Sequence, residues 1–516
     1  MKRRASSAAA TALMVAAGVA VALGATALVD PPDEVVRAHP EQVEPVVRST
    51  SVCPYIGGEA RAASRLGVLP LANVAEPDWT PPTDAAESDS DGPPPVVVRR
   101  LAGPDDVPDP LTTVAERGLP VIKKVDGSNP APYAVQAEGP FAPGVVAEQY
   151  MMAQAIDLRG VVSAPCTAPG REHWFVGASA TPGHRGRLIL TNPYPTAAVV
   201  TVSLWDATGQ VEVQGIKDIS IPPLSQEVLV LDAFVPEAED VGVRVRASQG
   251  RVSAALDYRE SDDGEPLGIS MIPRAAGPAK SLVVPGVPAH GRRTLVVFAP
   301  GESGAIVSLK ILGADGPFSP LEHDVVTVPA GGMVRVPLDD AVGDAAAAVA
   351  LDSDEEITAA VRVEDTGADQ RPELAYTAAA VPLPAGPSAV VLSRADATVT
   401  SRLLLTGIGE IAGRVSVKVL DADGGVADEQ VVDVPVGSTV DVELTPPEGM
   451  GWSSTVIEPA AAGTVMAVRE ITGEDDDGRL VDLMPVVPPT LTVQVPTVVS
   501  ELPTGLRPAG RTETDS

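Results

Sequence analysis

Short apolar runs recur along the chain at one fixed spacing. They begin at Trp174, Leu282 and Val390, and both 282 minus 174 and 390 minus 282 equal 108. A second apolar run follows each of these starts, at Leu188, Leu295 and Leu403. Because the order of the runs is kept together with their spacing, the pattern predicts a structural unit that repeats along the chain.

Within these runs, apolar and polar residues alternate. Val415, Val417 and Val419, for example, are separated by Ser416 and Lys418. Successive side chains of a strand point to opposite faces, so this alternation predicts strands with the valines buried and the polar residues outside. Long helical periodicity is absent from the repeated units.

Turn signals separate the predicted strands. The third run of each unit ends at a glycine, Gly209, Gly316 or Gly424, as a hairpin turn requires. About six short strands in roughly 100 residues are typical of an antiparallel sandwich. The predicted fold class is therefore all-β, with tandem immunoglobulin-like antiparallel β-sandwich modules after an N-terminal signal or anchor helix.

The repeat divides the chain into modules and flanking segments. A divergent first copy is indicated by Arg65–Asn73, which resembles Arg187–Asn192, and a Pro-, Asp- and Ser-rich loop interrupts it. The predicted segments are a signal peptide or signal anchor at 1–29, a stalk at 30–50, the divergent β module at 51–170, three β-sandwich modules at 171–288, 289–393 and 394–499, and a disordered tail at 500–516.

The N-terminus predicts export. Lys2, Arg3 and Arg4 precede an uncharged run that extends from residue 5 to residue 29, as in a secretory signal. Ala25-Thr26-Ala27 offers a cleavage site, but the run is also long enough to span a bilayer. Cleavage and retention as an anchor stay open. In both cases the positive end remains inside, so the protein is expected to be extracytoplasmic, either secreted or anchored to the cell membrane.

Composition narrows the classes of partner. The chain has 37 Lys and Arg against 69 Asp and Glu, a formal charge of −32. Binding to nucleic acid requires clustered cations, so this charge argues against it. It also argues against electrostatic attachment to anionic lipid, which leaves the N-terminal segment as the one expected contact with the membrane.

Two cysteines, Cys53 and Cys166, occur in the chain. In an exported protein a single pair predicts one structural disulfide. A redox motif would need closely spaced cysteines, and a metal site would need further ligands nearby. This bridge would close the ends of the divergent first module.

Trp205 and Trp174 are candidate contact residues. By strand parity Trp205 lies on the polar face of its strand, and Leu312 and Leu420 occupy the equivalent positions. An exposed Trp could stack on a sugar or anchor a partner. The apolar residue in all three copies favours a contact between modules or a covered edge.

Other candidate sites are weaker. The acidic loops 261–265 and 474–478, and the run Asp421–Gly424, could hold a cation, but each also fits a solvated hairpin tip. The five histidines are scattered, and no nucleophile elbow, phosphate loop or dinucleotide fingerprint is present. We therefore expect no catalytic residue, no cofactor and no metal site, although calcium binding at the acidic loops stays open.

The second module resembles a known family. Trp174-Phe175-Val176-Gly177 and Leu190-Thr191-Asn192-Pro193 are similar to the repeated Trp-Phe-x-Gly and Leu-x-Asn-Pro β modules of an uncharacterised actinobacterial family of exported or membrane-anchored proteins, whose domain has no known function. The third and fourth modules lack both motifs. The resemblance implies an envelope protein and supplies no catalytic residues.

These observations predict a non-enzymatic scaffold or binding protein of the cell envelope. An elongated string of modules would bind an envelope protein or a glycan through strand edges and loops rather than through one deep pocket. The alternative is an accessory enzyme or carbohydrate-binding protein acting on envelope polysaccharide. An enzyme of this kind would need a cleft at a module junction, near His173, Asp257, Glu260 and His290. The oligomeric state stays open.

Overall fold

The structure, a computed structural model, describes residues 42–54, 63–80, 94–125, 131–155, 158–367, 371–396 and 398–495. The predicted signal or anchor, residues 30–41 of the stalk and the predicted tail lie outside these ranges. Among the described residues, no helix is both long enough and apolar enough to cross a membrane. The chain divides into two units, one formed by Met1–Glu44 with Gln494–Ser516 and the other by Pro45–Val493.

The two termini of the described chain pair with each other. Strands β1 (Gln42–Pro45) and β35 (Thr492–Val495) form a two-stranded sheet. Residues 48–50 of the predicted stalk lie in the next strand, β2 (Arg48–Cys53), so strand structure begins before residue 51, where the first module was predicted to start.

The large unit is almost entirely β, with four pairs of antiparallel layers, of which the third pair is joined into one eight-stranded sheet by a shared strand. The first pair contains β2, β3 (Ala63–Pro70), β4 (Val96–Arg100), β5 (Thr112–Val114), β6 (Val121–Val125), β7 (Tyr133–Glu138), β8 (Val145–Ala155) and β9 (Leu158–Pro165), with a 3₁₀ turn at Gly139–Phe141. Its sheets have the orders β2-β7-β4-β5 and β6-β3-β8-β9. We refer to this pair as module 1 and to the three that follow as modules 2 to 4.

Module 2 contains β10 (Glu172–Ala178), β11 (His184–Asn192), β12 (Ala198–Asp206), β13 (Gly209–Val211), β14 (Ile219–Ile221), β15 (Ser225–Val230), β16 (Val241–Gln249), β17 (Ser253–Asp262) and β18 (Glu265–Ile272), with a 3₁₀ turn at Leu231–Ala233. Its sheets have the orders β10-β16-β12-β13 and β15-β11-β17-β18, and β14 pairs with β12. Strand for strand, these orders repeat those of module 1.

Module 3 contains β19 (Ala279–Val287), β20 (Arg292–Phe298), β21 (Ala305–Gly313), β22 (Gly316–Phe318), β23 (Val325–Val328), β24 (Met333–Pro337), the short helix α1 (Asp339–Val342), β25 (Ala347–Thr366) and β26 (Pro372–Ala378). The 20-residue strand β25 pairs with β19 and β21 through its first half and with β20 and β26 through its second half. It therefore performs the roles of both β16 and β17.

Module 4 contains β27 (Ser388–Arg394), β28 (Val399–Gly407), β29 (Gly413–Leu420), β30 (Val426–Val434), β31 (Thr439–Glu443), β32 (Trp452–Pro459), β33 (Val465–Asp475) and β34 (Gly478–Pro485). Its sheets have the orders β27-β32-β29-β30 and β31-β28-β33-β34. Val415, Val417 and Val419 are buried while Ser416 and Lys418 are partly exposed, so the predicted alternation is confirmed.

Two sequence-based expectations need adjustment. Strand pairing assigns β19 to module 3 and β27 to module 4, whereas the predicted boundaries at 288/289 and 393/394 fall after those strands or at their end. In the immunoglobulin order, the first and second strands share a sheet. Here β10 and β11 lie in different sheets, so the fold is sandwich-like and repeated, and its immunoglobulin-like character is not confirmed.

The modules do not form an elongated string, and that expectation was wrong. The last strand of each module contacts the last strand of the next: β9 lies against β18, β18 against β26, β26 against β34, and β34 against β9. We call these four the inner strands. Residues 45–493 thus form one compact unit, a closed ring of four modules, because each module leaves an apolar outer face that only a neighbour can cover.

Apolar clusters lie both within and between the modules. Each sandwich has its own core of mainly Val, Leu and Ala side chains. Further clusters join module 1 to module 2, module 2 to module 3, and module 4 to module 1, while Val468, Val481 and Leu483 of module 4 extend the core of module 3. Every junction of the ring is therefore packed.

The ring centre is close-packed and contains a buried carboxyl. Gly160 and Gly268, with φ of +140° and +135°, face Glu373, and a Cβ on Gly160 would lie 2.4 Å from Glu373 Oε2. Glu373 Oε1 accepts hydrogen bonds from the backbone N–H groups of Ile269 and Leu374. Burial raises the pKa of Glu373 well above its usual range. Inner strands of modules 1, 2 and 3 thus meet around one side chain.

A buried ion pair closes the ring between modules 4 and 1. Arg469 Nη1 donates to Glu148 Oε1 at 2.8 Å, and the two side chains are 0% and 2% exposed. Glu148 also accepts the backbone N–H of Leu392. That N–H is available because the pairing of β27 with β32 shifts register between Val390 and Ser393.

This pair makes ring closure testable. Glu148→Gln removes the charge but keeps the size, and it leaves buried Arg469 with only the more distant carboxylate of Asp482, at 3.8 Å. We expect the free energy of unfolding to fall by roughly 3–5 kcal/mol, measured by urea denaturation. Glu138→Gln is the control, since Glu138 binds Arg48 at the same 2.8 Å in an exposed pair and should change stability by less than about 1 kcal/mol. Equal small effects would contradict the buried closure.

Candidate functional site

A large cavity lies within the described part of the chain, where the inner strands end. Its volume is about 950 Å³, and all four modules line it. Module 1 contributes residues 163–165 and 167, module 2 residues 271–278, module 3 residues 379–381, and module 4 residues 483–488. Each of these segments contains or follows the end of an inner strand, so the cavity is a product of the ring. We call it the central cavity.

The disulfide fixes one wall of this cavity. Cys53 and Cys166 are bonded, as the sequence predicted, over a separation of 113 residues. Their neighbours Pro54 and Thr167 line the cavity, and Val52 and Thr167 exchange two backbone hydrogen bonds. The bridge joins the first strand of module 1 to the segment that follows its last strand, and so holds this wall in place.

The interior of the cavity is largely apolar. Buried lining residues include Met271 and Ile272 from module 2 and Leu483, Met484 and Val486 from module 4. Ligand sites typically combine such walls with a small number of fixed polar groups. The polar groups here are therefore informative.

Arg274 and His173 form a fixed polar pair in the wall. His173 is 3% exposed, its Nε2 lies 2.9 Å from the carbonyl oxygen of Val252, and Arg274 Nη1 lies 3.0 Å from His173 Nδ1. A carbonyl only accepts and a guanidinium only donates, so His173 is the neutral tautomer with its proton on Nε2. Burial and the charge of Arg274 lower the pKa of His173 to about 4.

Arg274 itself lacks a counter-ion. Burial lowers the pKa of its guanidinium to about 10, still well above neutrality. No carboxylate among the described residues lies within 4.0 Å of it, although many other basic side chains in those residues meet that distance, from Arg48–Glu138 to Arg469–Asp482. A half-buried cation held by a neutral histidine is therefore exposed to the cavity without compensation.

A second cation in the wall is compensated. Arg244 Nε donates to Glu172 Oε1 at 2.8 Å, and its guanidinium lies 5.1 Å from the ring centroid of Trp174. Trp174 Nε1 donates to the same carboxylate oxygen at 3.1 Å. The three side chains satisfy one another and form a rigid wall. Around them Glu302, Glu355 and Glu356 line the cavity as exposed residues.

The structure brings the two predicted contact residues together and buries both. Trp174 and Trp205 are each 5% exposed, with ring centroids 5.8 Å apart. They pack against Val296, Phe298 and Met333 of module 3. Leu420 packs in the equivalent way against Leu69 and Leu71 of module 1. The apolar position on the polar face of the strand thus packs against the next module in these two copies.

The residues named for an enzymatic cleft do not converge. His173 lines the central cavity, His290 a different cavity and Glu260 a third. Asp257 is paired with Arg187, and Glu260 accepts two hydrogen bonds from Arg362. Each carboxylate is thus occupied by an arginine.

The acidic loops are hairpin turns. Asp263 and Gly264 join β17 to β18 with φ of +46° and +88°, the conformation of a tight hairpin. Asp475 accepts the backbone N–H groups of Asp477 and Gly478 and binds Arg159 at 2.7 Å. Among the described residues, no group of three or more His, Cys, Asp or Glu side chains is placed to hold a metal ion.

A second, more polar cavity of about 480 Å³ lies at the junction of modules 3 and 4. Glu470 lines it, 6% exposed. Burial raises the pKa of Glu470 to about 7. The charge of Arg402 lowers this pKa, and the carboxylates of Asp441 and Asp365 raise it.

Sequence reasoning missed both the central cavity and Arg274. The cavity is formed by segments from four modules, and no local pattern indicates that these segments meet. A faint signal existed in the prolines at the ends of inner strands, Pro165 and Pro485 as last residues and Pro273 just after the last, because a proline ends a ladder where a strand leaves its sheet.

Comparison with known proteins places the chain in a family. A family of unknown function, DUF5719, matches residues 121–445, more than half of the chain, and the protein belongs to this family. The search of curated proteins found no match to this chain.

The titration of His173 predicts a pH effect on stability. Its pKa is about 4 in the folded protein against 6.5 for the free side chain, so above pH 6.5 it is neutral in both states. Between pH 6.5 and 4 only the unfolded chain takes up the proton. The free energy of unfolding should therefore decrease as the pH is lowered from 6.5 to 4, by up to about 3 kcal/mol.

The measurement is urea denaturation between pH 7 and pH 4. His173→Gln, which cannot titrate, should lose less stability over this range than the unmodified protein does. His290→Gln is the control, since His290 is exposed, and it should follow the unmodified protein. Parallel profiles for all three proteins would show that His173 is not held neutral.

Proposed function

We propose that the protein is a non-enzymatic, extracytoplasmic binding protein of the cell envelope, and that its ligand occupies the central cavity. The N-terminal signal pattern and the disulfide support a location outside the cytoplasm. The membrane contact is the N-terminal segment alone. The partner is a component of the cell envelope. Nucleic acid is not a partner, because the net charge of −32 opposes binding to its phosphate backbone.

One observation carries the proposal. All four modules contribute walls to a cavity of about 950 Å³ that combines apolar side chains with the half-buried, uncompensated cation of Arg274. A scaffold needs only outer surfaces, whereas a cavity of this size is typical of a ligand site. Binding within the ring thus replaces binding by strand edges and loops.

The module assignment is part of the proposal. We propose four immunoglobulin-like modules in the loose sense of two facing antiparallel sheets, with boundaries that follow strand pairing near residues 48, 171, 279 and 388. The actinobacterial origin and the significance of the Trp-Phe-x-Gly and Leu-x-Asn-Pro motifs belong to the same proposal. The fold makes structural sense of these motifs: Trp174 packs between modules, and Asn192 Nδ2 donates to the carbonyl oxygens of Thr196 and Ile221.

The alternatives receive less support. An accessory enzyme needs converging acid and base groups. His173, Glu260 and His290 line three different cavities. Asp257 is paired with Arg187. A carbohydrate-binding site needs open aromatic faces. Trp174 and Trp205 line the central cavity, but each is only 5% exposed because it packs against module 3. A binding protein without catalysis remains the better proposal.

Photo-crosslinking tests the site. A diazirine amino acid at Val381, which lines the cavity and is 62% exposed, should give a discrete adduct in native envelopes, detected by mass spectrometry of the intact protein. Ile411 is the matched control, with 63% exposure on a loop of module 4. We expect no adduct there. The absence of an adduct at Val381, or the same adduct at both positions, would refute binding in the cavity.

A further inference from the structure

The unpaired charge of Arg274 points to the chemistry of the ligand. We propose that the central cavity binds an amphiphile with one anionic head group, a carboxylate or a phosphate, placed on Arg274 and with an aliphatic tail placed along the apolar floor. This inference rests on the proposed function and adds to it the class of ligand.

The head-group site is built before the ligand arrives. His173 holds Arg274 through the 3.0 Å contact to Nδ1 and is itself held by the carbonyl of Val252. A guanidinium presents several N–H donors in a planar fork that matches carboxylate and phosphate oxygens. Only one of its nitrogens, Nη1, is engaged by His173, so the remaining donors are available to an anion.

The charge balance selects an anion over a cation or a neutral head group. Arg244 is neutralised by Glu172, so it contributes little net attraction. Glu302, Glu355 and Glu356 are exposed around the cavity, and so is the cation Lys280, which donates to the backbone carbonyl of Asp354. Water screens all four charges. Arg274, by contrast, is a half-buried charge next to apolar walls. In such surroundings its attraction to an anion is much stronger than it would be in water.

The tail site follows from the residues around the head group. Met271 and Ile272 immediately precede Arg274 on the chain, and Leu483, Met484 and Val486 line the same cavity from module 4. Methionine side chains are flexible and adapt to irregular apolar ligands. Apolar residues of two modules therefore line the same cavity as the cation Arg274. An amphiphile has a matching arrangement, with an apolar tail next to one charged group.

Isothermal titration calorimetry on the full chain tests this proposal with four probes: hexadecanoate, hexadecyl phosphate, hexadecanol and inorganic phosphate. We expect one or both anionic amphiphiles to bind, at least about tenfold more tightly than hexadecanol and inorganic phosphate. The preferred head group then distinguishes a carboxylate ligand from a phosphate ligand.

Variants of Arg274 locate the contact. Arg274→Gln should weaken binding of the anionic amphiphile by roughly 10- to 100-fold, the value of a hydrogen-bonded charge pair, and leave hexadecanol unchanged. Arg274→Lys keeps the charge and should retain most of the affinity. Arg251→Gln, an exposed arginine of the same module, is the control and should bind like the unmodified protein. Retained thermal stability shows that each variant is folded.

Three results would overturn the inference. Hexadecanol binding as tightly as the anions would mean that no head group is recognised, and inorganic phosphate binding as tightly would mean that the tail is not used. An unchanged affinity in Arg274→Gln would remove the proposed contact. If no amphiphile binds while the Val381 adduct still forms, the class of ligand is wrong and the binding function stands; if neither occurs, both are wrong.

Discussion

The closure of module 4 onto module 1 is the constraint on which the rest of the structure depends. Each module buries a core of its own, yet each also carries apolar side chains on an outer face, such as Trp205 and Leu420, that become dry only against a neighbour. In an open chain of four modules, the two end modules would leave such faces in water. Closure removes these ends, and the buried pair of Glu148 and Arg469, together with the bulge in β27, specifies how the last module meets the first.

The central cavity is a consequence of this closure. Four inner strands converge, three of them pack around Glu373, and the four then diverge, with a proline at or just after the end of β9, β18 and β34, which leaves space at one end of the axis. The disulfide between Cys53 and Cys166 holds one wall, and the contacts among Glu172, Trp174 and Arg244 hold another. Between these walls, His173 accepts a hydrogen bond from Arg274 and so fixes the position of the guanidinium. The same contacts that stabilise the ring therefore pre-organise the proposed site, which lowers the entropic cost of binding.

Much of the local structure could be predicted from the sequence, and its assembly could not. Alternation such as that of Val415 to Val419 reports which face of a strand is buried, and the 108-residue spacing reports the repeat, because both depend on nearby residues. The parity of Trp205 also indicated a covered face. The ring order, the long strand β25 that serves two sheets, and the placement of Arg274 and residues 483–486 around one cavity depend on contacts between distant segments. No periodicity encodes them, so a string of modules was the natural and incorrect expectation.

Small-angle X-ray scattering of the chain from Asp30 onward tests the closed ring most directly. A compact chain of this length should have a radius of gyration of about 23 Å, whereas four sandwiches joined end to end, each of about 13 Å, should give about 40 Å. Our account predicts the smaller value and a single-peaked distance distribution. A value near 40 Å, with regularly spaced maxima in the distribution, would contradict the ring and with it the central cavity.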